Sequence, residues 1–139
     1  MAFMDTGTAL DAFYPAQPPR IAEIRRDVTD VATGFGADET ALLQINLAVS
    51  EAATNAILHA YRDGVPAGDV HVLVQHADDF LDVSICDHGV GMSPRRDSPG
   101  MGLGLCLMAH ESHSCEIRAV PDGGTEVVLR FRLDAATHD

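Results

Sequence analysis

LAVSEAATNAILHAY, residues Leu47 to Tyr61, carries Glu51, Asn55 and His59 at intervals of four. On an α-helix that spacing puts three side chains on one face. Ala52, Ala53, Ala56 and Ala60 surround them, small enough to let a ligand or another backbone come close. A side-chain amide oxygen such as that of Asn55 is a hard donor suited to Mg²⁺, which prefers oxygen and keeps several waters. A carboxylate one turn earlier, Glu51, can accept a proton from an attacking hydroxyl or water. The same pattern also describes a solvated polar stripe on an amphipathic helix, and His59 reads as a packed structural residue.

Upstream, Asp38 is a suitable N-cap for this helix. Its apolar face takes Leu42, Ile45, Val49, Ala53, Ala56 and Ile57, and it runs to about Tyr61, before the loop at Gly64–Pro66. An earlier helix is marked by Ile21, Ile24, Val28, Val31 and Phe35, with gaps of 3, 4, 3 and 4. Pro19 suits its first turn and Gly34 or Gly36 its end. Before it, one short strand is expected near Leu10–Tyr14. Downstream, Val70, Val72 and Val74 alternate, as do Leu81, Val83 and Ile85, which predicts two strands joined by a hairpin turn at Ala77–Asp79. A third helix is expected over Gly102–Ser112. Two last strands are expected near Cys115–Val120 and Glu126–Leu133, joined by Pro121-Asp122-Gly123-Gly124. Helices come early and hairpin-linked strands late. That order predicts an α+β two-layer sandwich, a mostly antiparallel mixed sheet with helices on one face.

The strand ending in Asp87 runs into DHGVGMSPRRDSPGMGLGLCLM, a segment with five glycines and no lysine. A carboxylate at a strand end can floor a pocket and accept from an exocyclic amine. Gly89 and Gly91 allow a tight turn and the approach of a flat ring. Gly100, Gly102 and Gly104 lead into the third helix, where backbone N–H groups and the helix dipole favour an anion. Arg95 and Arg96 read equally as phosphate partners or as a solvated loop tip. Each glycine pattern alone also describes an ordinary polar turn. It is not a dinucleotide-binding fingerprint, because a proline-containing loop precedes it where that motif has a strand.

The 139 residues suit one domain, with 46% hydrophobic and 22% charged residues. All nine basic residues are arginine, against 21 carboxylates, giving a net charge of −12. So acidic a chain lacks the cationic surface that direct nucleic-acid binding needs. Cys86, Cys106 and Cys115 form no CxxC pair and the N-terminus does not read as a secretory segment, so reduced thiols in a cytoplasmic protein are expected. No apolar run is expected to reach membrane-spanning length, and no membrane partner is expected. His110 and His113 near Cys115 lack convincing metal-ligand spacing.

Taken in order, Glu51-x-x-x-Asn55, Asp87-x-Gly89-x-Gly91 and Gly100-x-Gly102-x-Gly104 resemble the N, G1 and G2 boxes of the Bergerat-fold (GHKL) ATPases, and Gly124-Thr125 resembles their closing Gly-Thr. The resemblance runs from about Ile21 to Leu133. SEAATNAILHAY and the small size are most similar to the anti-sigma-factor serine kinases. The resemblance implies ATP and Mg²⁺ as cofactors, a sigma factor and an anti-anti-sigma (STAS) protein as partners, and a homodimer. It implies Glu51 as general base, Asn55 as the Mg²⁺ ligand and Asp87 as acceptor for the adenine amino group. Gly91 would lie against the base, Gly102 and Gly104 at the phosphates, and Thr125 beside adenine. Residues 1–19 would form an N-terminal segment, 20–134 the ATP-binding kinase domain and 135–139 a tail. The lid between Gly91 and Gly100 is short and holds Pro94 and Pro99. Two other readings are a non-catalytic nucleotide-binding partner-switching module and a detached histidine-kinase catalytic domain.

Overall fold

The computed structural model describes residues 6–59, 68–88, 108–121 and 123–137. Strand β1 (Thr6–Pro15) leads to helix α1 (Arg20–Gly34) and helix α2 (Glu39–Thr54), which continues as a π-helical turn, Asn55–His59. Strands β2 (Asp69–Ala77), β3 (Phe80–Asp87), β4 (Ser114–Ala119) and β5 (Thr125–Arg132) follow, with a 3₁₀ turn at Ala135–Thr137.

The strands form one sheet in the order β1-β2-β3-β5-β4. Every pairing among the described strands is antiparallel, so the expected mixed character is corrected. The reason lies in the connections. A single helix between two strands returns the chain for a parallel step, whereas two helices, α1 and α2, reverse it once more. The β2–β3 and β4–β5 connections are tight turns, which allow only antiparallel neighbours. Asp78 takes φ 55 in the first of them, a left-handed position that Asp tolerates better than most residues.

Alternation sorts the sheet into two faces. Val70, Val72, Val74, Leu81, Val83, Ile85, Val127, Leu129 and Phe131 are buried on one. Against them lie Ile24, Val28 and Ala32 of α1 and Ala41, Ile45, Ala48, Val49, Ala52 and Ala53 of α2. The helices therefore cover one face, and the fold is the expected α+β sandwich. The other face is polar: Arg130 grips Asp82 through two bonds of 2.8 and 2.9 Å, Ser84 donates to Glu126 and His71 meets Asp11 at 2.6 Å.

Several boundaries differ from expectation. Strand β1 is longer than Leu10–Tyr14, because β2 offers a full row of backbone partners from Asp69 to Ala77 and residues 6–9 need no apolar alternation to use them. A bulge between Thr8 and Leu10 breaks its register, a common device on an edge strand. Phe35 leaves the apolar face of α1; as the C-cap residue it stacks on His76 at 4.2 Å. The chain then turns through Gly36 at φ +86. Asp38 caps α2, its side chain accepting from the Ala41 N–H at 2.8 Å.

The helix Glu39–Leu58 spans 20 residues at a mean hydropathy of 1.2, contrary to the expectation that no apolar run nears membrane-spanning length. Its alanines and branched residues serve the core: 50% of that stretch is buried inside the domain. Of the third helix, expected over Gly102–Ser112, residues 108–112 fall among the described residues: 108–110 are helical, with Met108 fully buried, and 111 and 112 form a bend.

Candidate functional site

Asn55 sits where α2 changes from α to π geometry, and its N–H bonds back to Ala52 and Glu51. The side chain is 3% exposed, and Nδ2 has no hydrogen-bond partner among the described residues. A buried amide end left without a partner costs roughly 1–3 kcal/mol, and π turns occur frequently at functional sites. Glu51 lies one α turn earlier, half-buried. Ala52, Ala53, Ala56 and Ile57 are buried around them.

The π turn packs against β3, the strand that ends in Asp87. Asp87 is 1% exposed and points to the helix-covered side, in phase with Leu81, Val83 and Ile85. Its cross-strand neighbours are Val70 on β2 and Thr125 on β5, both buried. Facing residues in adjacent strands have Cβ atoms about 4.5–5.5 Å apart. Asp87 and Thr125 thus form a buried polar pair at one end of a largely apolar sheet face, the face that α2 covers. The sequence places these residues far apart; the packing of the π turn on β3 sets the turn that starts at Asn55 against the strand that ends in Asp87.

A buried amide, a buried carboxylate and a buried hydroxyl in apolar surroundings suit a flat heterocycle with a polar edge. Asn55 also fits a Mg²⁺ site of the kind that takes one or two protein oxygens and completes its shell with water and phosphate. Among the described residues no group of three or more His, Cys, Asp or Glu gathers as a metal cage. His110 is paired with Glu111, and His113 packs on Phe80.

Cations are absent from the sheet's contribution to this region. Arg118, Arg130 and Arg132 point to the opposite face and pair with Glu116, Asp82 and Asp134. Two cavities on that face, about 260 and 320 Å³, share the Asp82–Arg130 pair. Cys86, next to Asp87 in sequence, also faces away; burial pushes its thiol up, with Glu126 and Asp87 adding to the effect. Gly89, Gly91, Arg95, Arg96, Gly100, Gly102 and Gly104 lie outside the described residues.

Two features of the site go beyond what the sequence spacing announces. One is the π turn. The other is the close packing of Gly124, which the sequence offers only as a turn residue and as the glycine of the closing Gly-Thr. A Cβ there would run into the Asp87 carbonyl oxygen, 2.8 Å from the His88 Cα and 3.0 Å from the Asp87 carbonyl carbon.

The description "Histidine kinase-like ATPase domain" matches residues 14–131. The serine-protein kinase RsbW of Bacillus subtilis is 36% identical over 140 residues, covering 90% of this chain and 86% of that protein. The anti-sigma F factor of Pasteuria penetrans is 30% identical over 106 residues, covering 68% and 71%. Among solved structures, the RsbU and RsbW domains of Rv1364c from Mycobacterium tuberculosis superpose with a TM-score of 0.67 at 22% identity. That match covers 88% of this chain and 32% of the solved one, so it speaks for the fold alone. With a matching profile over most of its length and a buried Asn55–Asp87–Thr125 region beneath α2, the chain belongs to the histidine kinase-like ATPase domain family, among its anti-sigma-factor serine-protein kinases.

Proposed function

We propose that this protein binds ATP between α2 and the end of β3, binds a sigma factor, and phosphorylates a serine of an anti-anti-sigma (STAS) protein. The observation that carries the reading is the burial of Asn55, Asp87 and Thr125 in one apolar region, with Glu51 a turn away on the same helix. A buried amide without a partner is costly, and Asn55 Nδ2 has none among the described residues. The relatives named serine-protein kinase and anti-sigma F factor support the choice of substrate and partner.

In this reading Asp87 accepts from the adenine amino group and Thr125 holds the same edge. Gly89 and Gly91 let the base lie against the main chain. Gly100, Gly102 and Gly104 give N–H donors to the phosphates, and Arg95 and Arg96 add charge there. Asn55 would hold Mg²⁺, which when bound neutralises phosphate charge. Glu51 takes the proton from the serine Oγ as that oxygen attacks the γ-phosphorus. The new Oγ–P bond forms while the bridging P–O bond breaks, and its electron pair leaves with ADP. Phosphoryl transfer asks mainly for such positioning. The protein acts in the cytoplasm as a homodimer.

The test is incubation of the purified protein with γ-labelled ATP, Mg²⁺ and a STAS protein. Acid-stable label on serine is the expected result. Bound ATP without transfer would identify a non-catalytic partner-switching module, and acid-labile label a histidine kinase.

A further inference from the structure

We propose that Gly124 is a positioning residue for nucleotide selectivity: its bare Cα lets the start of β5 pass against the Asp87 and His88 main chain and so sets where the Asp87 carboxylate sits. This rests on the reading of Asp87 as the adenine acceptor.

The contact leaves no room to adapt. A Cβ at Gly124 would meet the Asp87 carbonyl oxygen and carbon and the His88 Cα, all main-chain atoms. A flexible side-chain tip could swing aside; these atoms move only if the strand end moves. Gly124 is itself buried, and its φ of +122 is a backbone state that L side chains rarely adopt. The hairpin holds it in place: the Val120 N–H donates to the Gly124 carbonyl at 3.1 Å and the Gly123 N–H to the Val120 carbonyl at 2.9 Å.

The consequence falls on the site. Gly124 directly precedes Thr125, and Thr125 is the cross-strand partner of Asp87. Pushing the two strands apart at this point separates the pair and shifts the carboxylate, while Val70 on β2 still holds the other side of Asp87. A small displacement of a buried acceptor is expensive in binding, because the bond it made to the base is lost and the carboxylate stays buried.

Gly123 supplies the control. It too has a left-handed φ, +86, but a Cβ there meets nothing within 4 Å. Gly123→Ala therefore adds backbone strain without the contact, whereas Gly124→Ala adds both.

The experiment is calorimetric titration of Gly124→Ala, Gly123→Ala, Asp87→Asn and the parent with ATP and with GTP in Mg²⁺, beside thermal unfolding. For Gly124→Ala the Kd for ATP is expected to rise roughly tenfold or more, about one hydrogen bond, with the ATP-to-GTP ratio falling toward that of Asp87→Asn. Gly123→Ala is expected to lower Tm and leave the ratio unchanged. A Gly124→Ala protein that keeps the parent ratio while Asp87→Asn loses it overturns the role of Gly124 and leaves the reading of Asp87 intact. An unchanged ratio in Asp87→Asn removes that reading instead. Should Gly124→Ala unfold in buffer, the titrations are run in sucrose, which favours the compact state; failure to fold there assigns Gly124 to the fold alone and overturns the proposal.

Discussion

Asp87 on β3 and Thr125 on β5 face each other at the end of the sheet, 1% and 3% exposed, on the side covered by α2. Further along β3 and β5 on that face the facing residues are apolar, as in Val83 opposite Leu129 and Leu81 opposite Phe131. Among the described residues, the buried polar side chains are Asn55, Asp87 and Thr125, on the π turn and at the paired ends of β3 and β5.

Replacing Asp87 with Asn is expected to weaken ATP and relax the preference for ATP over GTP. The carboxylate only accepts, whereas an amide can also donate to the carbonyl of guanine. The loss for ATP is expected to be roughly tenfold or more, the scale of a bond to a charged group. Competition between the two nucleotides, followed by calorimetry, measures it.

Glu51 and Asn55 share a helix face but are expected to separate functionally. Glu51→Gln should keep Mg·ATP affinity and lose transfer, by about 10²–10⁴-fold for removal of a general base. Asn55→Ala should weaken Mg·ATP binding itself. Single-turnover transfer beside equilibrium binding distinguishes the two, and an unchanged transfer rate in Glu51→Gln would remove the base assignment.

Tyr14 donates to Asp27 at 2.7 Å, tying β1 to α1. Burial, then the bond to Asp27 and its charge, raises the phenol well above its ordinary value. The folded state thus holds this proton more tightly than the unfolded state. The resulting stability is complete below about pH 10, the usual tyrosine pKa, and declines as pH rises above it. Tyr14→Phe should flatten that alkaline decline and cost about 1 kcal/mol at neutral pH. Urea unfolding of both proteins from pH 8 to 11 checks the sign.

Asp38 joins two distant segments. One carboxylate oxygen caps α2 at the Ala41 N–H, and the other accepts from the Ala136 N–H at 3.0 Å, while the Asp38 N–H donates to the Leu133 carbonyl at 2.9 Å. Asp38→Ala should destabilise by about 1–2 kcal/mol through loss of the cap. Asp38→Asn should recover part of that. Thermal unfolding of the two variants tests the order.

Much of the architecture was legible because burial follows period. Alternation at Val70–Val74 and Leu81–Ile85 located β2 and β3, and the three-and-four spacing from Ile21 located α1. The order of the Glu51–Asn55, Asp87–Gly91 and Gly100–Gly104 motifs carried the family. These are local properties, written by how side chains repeat along one element.

By itself, then, the sequence determined which elements form, which of their faces are apolar and which residue types are available for nucleotide chemistry. Only the tertiary structure decided that every described strand pair is antiparallel, that Asn55 starts a π turn, that Asp87 and Thr125 are partners, and that Gly124 lies against the Asp87 main chain. Each of these depends on contacts between residues remote in the chain, whose geometry is set by packing between layers and not by any spacing within one segment.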